Sequence, residues 1–227
     1  MERHDIICDS GALISLTSGC LDRLLYFFSE KYHVRFLIPP SVEYESVKHP
    51  IQSRLLKYLF SAMRIKEAME DGVVIKIDSD LSAQAKHLID LANNIFYLKG
   101  KPLTLIQQGE AEMLALAITS EVSFVLIDER TTRLLIEAPF KLKTHFEDEF
   151  HVSVMVNKKN LQELSSLISH IKAIRSSELV MLAYEKGYFS NFTTLKKDAL
   201  EAALYKMKYS GCAISFNEIK DYLKAVE

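Results

Sequence analysis

Ile6-Ile7-Cys8-Asp9-Ser10-Gly11-Ala12-Leu13-Ile14 is the stretch that decides the fold. A short apolar run ends in an acid, and small residues then lead into a helical pattern carrying Leu13, Leu16, Leu21, Leu24, Leu25 and Phe28. The pattern predicts a strand over residues 5–8 feeding a helix over 12–30, which Gly19 should break in two. Three further apolar runs, 34–38, 73–77 and 123–127, alternate with helical patterns. That alternation is the signature of βαβ units and a mainly parallel sheet, so the predicted class is α/β.

Further along the chain, a second helical region begins at Pro39-Pro40, where proline suits a first turn, and resumes beyond Pro50 towards Met69. Residues 81–98 read as a helix with Leu88, Leu91, Ala92 and Ile95 on its apolar side, closed by Gly100, and another helix follows Gly109. After 123–127 come a short helix to about Glu137 and a mixed segment through Val156 holding one or two final strands. From Leu161 the pattern turns wholly helical, over 161–174, 177–186 and 195–209, with a last helix opened by the Ser215 and Glu218 capping pair. A boundary near 156 then separates a core domain, 1–156, from a helical extension, 157–227.

Composition narrows the function. The 28 Lys+Arg against 30 Asp+Glu give a formal net charge of −2, which excludes a wholly basic surface but leaves room for a local basic groove. Cys8, Cys20 and Cys212 are odd in number and widely spaced; they build neither a disulfide framework nor a four-ligand zinc site and fit a reducing compartment. No apolar run approaches the roughly 18 residues of a membrane span, and no leader pattern is present. A cytoplasmic protein without membrane contact is the expectation. The histidines show no ligand or triad spacing, and there is no glycine-rich phosphate loop.

Two apolar runs end directly in an acid, Asp9 and Asp128. Ligands bind outside the carboxyl ends of parallel strands, so these acids converge if their strands are neighbours. Glu45 lies in the helix leaving the 34–38 run, and Glu110 sits in the first turn of its helix, where the dipole favours a carboxylate. Four carboxylates in one cleft raise one another's pKa and call for a cation. Oxygen-only ligation points to Mg²⁺ or Mn²⁺ rather than zinc, and such an ion serves phosphodiester hydrolysis. Ser10 stands beside Asp9, and Arg130 and Arg133 follow Asp128 closely enough to meet substrate. Glu43 and Glu112 read as surface charge. Arg54, Lys57 and Arg64 share a helical face that reads better as solvated than as a phosphate track.

At these residues the chain resembles the PIN-domain family. Residues 6–14 are similar to its opening strand, acid and helix; Ile38-Pro39-Pro40-Ser41-Val42-Glu43-Tyr44-Glu45 is similar to its P-x-x-V-x-x-E element. Gly109-Glu110-Ala111-Glu112 and Leu126-Ile127-Asp128-Glu129-Arg130 resemble the GEAE and strand-end elements of one subgroup. The resemblance implies a three-layer α/β/α nuclease, acting on RNA or on single-stranded DNA, with Asp9, Glu45, Glu110 and Asp128 as its acids. Asp9, Glu110 and Asp128 or Glu129 would then ligate the metal. A homodimer through the apolar helical extension is expected, and an antitoxin-like protein inhibitor is a possible partner. The alternative is a non-catalytic RNA-binding or assembly subunit of the same fold.

Overall fold

The computed structural model describes residues 4–226. In chain order it contains β1 (His4–Cys8), α1 (Ser10–Ser18), α2 (Arg23–Tyr32), β2 (Val34–Ile38), α3 (Pro40–Glu43), a π-helical turn (Tyr44–Lys48), α4 (His49–Gln52) and α5 (Leu56–Glu70). Next come β3 (Val74–Lys76), α6 (Ser82–Ala92), β4 (Phe96–Leu98), β5 (Lys101–Pro102), α7 (Gln108–Thr119), β6 (Phe124–Leu126) and α8 (Arg130–Glu137). The chain continues through α9 (Pro139–Phe150), β7 (Val154–Val156), α10 (Lys158–Leu167), β8 (Lys172–Ile174), α11 (Ser176–Glu185), a 3-10 segment (Tyr188–Leu195), α12 (Lys196–Ser210) and α13 (Phe216–Ala225).

A five-stranded sheet in the order β3-β2-β1-β6-β8 forms the middle layer, and every pairing in it is parallel. Successive strand residues face opposite sides. Ile6, Cys8, Phe36, Ile38 and Leu126 join one core with α1, α2, α11 and α12. Ile7, Leu37, Val125 and Ile127 join a second core with α6, α7 and α10. Helices on both faces are why these strands read as unbroken apolar runs rather than alternating ones. The α/β class and the parallel sheet are as expected, as is the break at Gly19, and β3 lies at the sheet edge.

Four expectations need correction. The helix over 81–98 stops at Ala92, and Phe96–Leu98 is instead the middle strand of a small antiparallel sheet, β5-β4-β7. Asn93 causes the break: its side-chain oxygen accepts from the Leu105 and Ile106 amides at 2.6 and 3.0 Å, pulling the chain into a loop. In the mixed segment before Val156, residues 139–150 are helix α9, leaving β7 as its strand. The helix over 161–174 ends at Leu167, and Lys172–Ile174 becomes β8. A three-residue apolar run cannot be told from a helix end by periodicity alone. The tertiary context decides, because Ile127 N–H donates to Ile174 O at 2.8 Å and Lys172 N–H to Ser123 O at 2.7 Å.

For the same reason, residues 157–227 are not set apart at 156 but complete the main sheet and both cores. Of the apolar residues on which the homodimer rested, Leu164, Ile168, Ile171, Leu200, Ala203, Leu204 and Met207 are buried within this chain, and Leu167 is partly buried against the same core as Leu164 and Ile171. Among the described residues no helix is long and apolar enough to cross a membrane.

Candidate functional site

β1 and β6 are neighbours, with Cys8 opposite Leu126, so the acids after them reach the same edge of the sheet. Asp9 continues the ladder by donating its N–H to Leu126 O at 2.9 Å. It also caps α1, its Oδ2 accepting the Gly11 N–H at 2.9 Å. A Cβ at position 11 would lie 2.9 Å from that oxygen, which explains the glycine after Ser10. Asp9 is 6% exposed. Burial pushes its pKa up to about 7; Glu110 adds to the rise, the Gly11 N–H opposes it, and Glu45 and Asp128 raise it further. These are the four acids expected from the sequence, and Asp9 feels the other three.

Glu45 arises from the π-helical turn, a widening of the helix that recurs at functional sites. Its carboxylate accepts from the Ser10 hydroxyl at 3.0 Å and lies over the first turn of α7, where a Cβ on Gly109 would meet its oxygens at 3.0 and 3.1 Å. Burial raises its pKa, Ser10 opposes this, and Glu110 and Glu112 raise it further. Glu110 is the third residue of α7, and its Oε2 accepts the Gln107 N–H at 3.0 Å. Asp128, 3% exposed, is held by both oxygens: Oδ1 accepts Ser176 N–H and Oδ2 accepts the Ser176 hydroxyl, each at 2.7 Å. Each oxygen keeps a further lone pair.

Glu129 caps α8, accepting the Thr131 and Thr132 amides at 2.7 and 2.6 Å. Of the two candidates for the fourth acid, Asp128 is therefore the one whose charge bears on Asp9. Arg133 pairs with Glu137 at 3.0 Å, with its Nε buried and unpartnered; Arg130 stands exposed at the start of α8. Glu43 pairs with Lys48 and Lys76, at 2.8 and 3.5 Å. Glu112 differs from the expectation of a solvent-facing charge. Its Oε2 accepts the Ser41 N–H at 3.1 Å, so it supports α3 and stands close enough to raise Glu45. The signal was Pro39-Pro40, because a helix opening on proline leaves the following amides in need of an acceptor.

An open cleft of about 310 Å³ is lined by Asp9, Gly11, Tyr58, Asp128, Glu129 and Gly211, among others. Its acids are Asp9, Asp128 and Glu129, while Glu45 and Glu110 lie off its wall; carboxylate oxygens are the donors a hard divalent ion takes. A cation also answers the neighbouring charges that add to the burial-driven rise of Asp9. Among the described residues, though, no three His, Cys, Asp or Glu side chains are drawn together into a single ligand shell. In donor chemistry and charge Asp9, Asp128 and the neighbouring Glu110 fit Mg²⁺ or Mn²⁺. The class these observations define is an α/β protein with an acidic cleft at the carboxyl end of a parallel sheet. Comparison with protein-family models, with curated proteins and with solved structures returned no match.

Proposed function

We propose that this chain is a PIN-type nuclease that hydrolyses phosphodiester bonds in RNA with Mg²⁺ or Mn²⁺. The observation that carries this reading is the buried strand-end Asp9, raised to about 7 by burial and by Glu110, Glu45 and Asp128 together. A structural capping acid alone does not require three more acids around it. Asp9, Glu110 and Asp128 would hold the ion. When bound, such an ion acidifies a water and neutralises phosphoryl charge.

The residues divide the remaining work. Asp128 is fixed by Ser176, and Asp9 by the Gly11 amide, so both keep their places through turnover. Glu45 would be the base, and its raised pKa suits it to take a proton from the attacking water. Ser10 steers its carboxylate. Water oxygen would bond to phosphorus as one proton passes to Glu45, and the bond to the 3′-oxygen would break, that oxygen taking a proton from solvent water, to leave a 5′-phosphate and a 3′-hydroxyl. Arg130, exposed next to the cleft-lining Glu129, would meet a phosphate.

A second reading is supported by the hydrogen bonds themselves. Asp9 caps α1 and Asp128 anchors α11, roles that a non-catalytic RNA-binding or assembly subunit would keep. Incubation of the purified chain with single-stranded RNA and Mn²⁺ separates the two. Cleavage that stops on adding EDTA and yields 5′-phosphate ends supports the nuclease; intact RNA under every divalent ion tried leaves the assembly subunit.

A further inference from the structure

The acidic cleft does not end at the carboxylates. Ile14, Tyr58, Ser210 and Gly211 line both it and an adjoining groove of about 520 Å³, so the two spaces share a wall. The groove changes character away from the acids, being lined by Lys57, Lys206 and Tyr209 and by no carboxylate. Lys57 Nζ stands 4.9 Å from the centre of the Tyr58 ring. Tyr209 is 73% exposed, yet it is braced from behind by Tyr205 and Phe216, with ring centres at 6.5 and 6.3 Å. A large aromatic ring left open to solvent beside other rings offers a stacking surface rather than a core contact.

Two lysines with a braced aromatic beside an acidic hydrolytic site form the combination that single-stranded nucleic acid requires: cations for phosphates and a ring for a base. Ser18 and Ser210 also line the groove, and their hydroxyls suit the ribose 2′-OH, a donor and an acceptor at once. We propose that this groove is the track for a single-stranded RNA whose scissile phosphate sits at the acids, with flanking phosphates on Lys57 and Lys206 and a base on Tyr209. The proposal rests on the nuclease reading for the direction of the strand. It gives α12 a role in substrate binding. It also moves Lys57 from a solvated face to a working one.

The test measures binding and chemistry separately. Full-length protein carrying Asp9→Asn is titrated with a fluorescent eight-nucleotide RNA strand in Mg²⁺ over a range of salt. The double change Lys57→Gln/Lys206→Gln should weaken binding about tenfold and lower the salt slope by about 1.4, since each single-strand phosphate contact contributes about 0.7. Tyr209→Ala should weaken binding several-fold without changing the slope, and Tyr209→Phe should restore it. Unchanged affinity in these variants, tighter binding of an RNA duplex, or tighter binding of the matching DNA strand would overturn the proposal. Hydrolysis of bis(p-nitrophenyl) phosphate by the unaltered protein with Mn²⁺ tests the nuclease reading independently, because so small a diester does not reach the groove.

Discussion

At the scale of single residues, the chemistry concentrates on Asp9. Its carboxyl titrates from an ordinary value of 3.8 up to about 7 in the folded protein. The folded state therefore holds a proton that the unfolded chain has already released, and stability is lost as pH rises through that interval. Metal-free protein in EDTA should melt lower at about pH 8 than at about pH 5, by an amount on the order of 3 kcal/mol from this group. Asp9→Asn should abolish cleavage, raise the melting temperature in EDTA near neutral pH, and flatten that pH dependence. The amide oxygen of asparagine still accepts the Gly11 N–H, so the helix cap survives. Thermal scans across pH on both proteins decide it; a variant that melts clearly lower without metal would contradict the clustering of the acids.

At the scale of elements, the site depends on how strand ends and helix starts meet. Ser176 opens α11 directly beneath Asp128 and gives it both donors. Ser176→Ala removes the hydroxyl from a fully buried charged acceptor and should cost about 1–3 kcal/mol in denaturant unfolding. The loss should be accompanied by weaker Mn²⁺ protection against thermal unfolding, because Asp128 is then held by one bond. Gly109→Ala is the complementary change, since its Cβ would press on the Glu45 carboxylate at 3.0 Å. It should lower the cleavage rate at least tenfold while shifting the melting temperature little. A rate equal to that of the unaltered protein in both Gly109→Ala and Glu45→Gln would remove Glu45 from the mechanism.

At the scale of the whole molecule, the segment after 156 closes the fold. It supplies β8 to the sheet and Leu179, Val180, Leu200, Leu204 and Met207 to a core shared with α1 and α2. Burying five such side chains contributes on the order of 10 kcal/mol, comparable with the whole stability of a domain. Truncation after Val156 should give an insoluble or unfolded product by circular dichroism; a folded fragment that still binds Mn²⁺ would restore the two-part division. What the sequence determined by itself was the strand-acid-helix grammar: apolar runs at 6–8 and 124–127 bounded by Asp9 and Asp128, the break at Gly19, and the capping pair at Ser215 and Glu218. Those features are local, written in neighbouring residues. Glu112 against Ser41, the strand identity of residues 172–174, and the basic groove formed by α5 with α12 were decided by the tertiary structure. Each joins residues far apart in the chain, and a short apolar or charged segment takes its role from the partner it meets rather than from its own pattern.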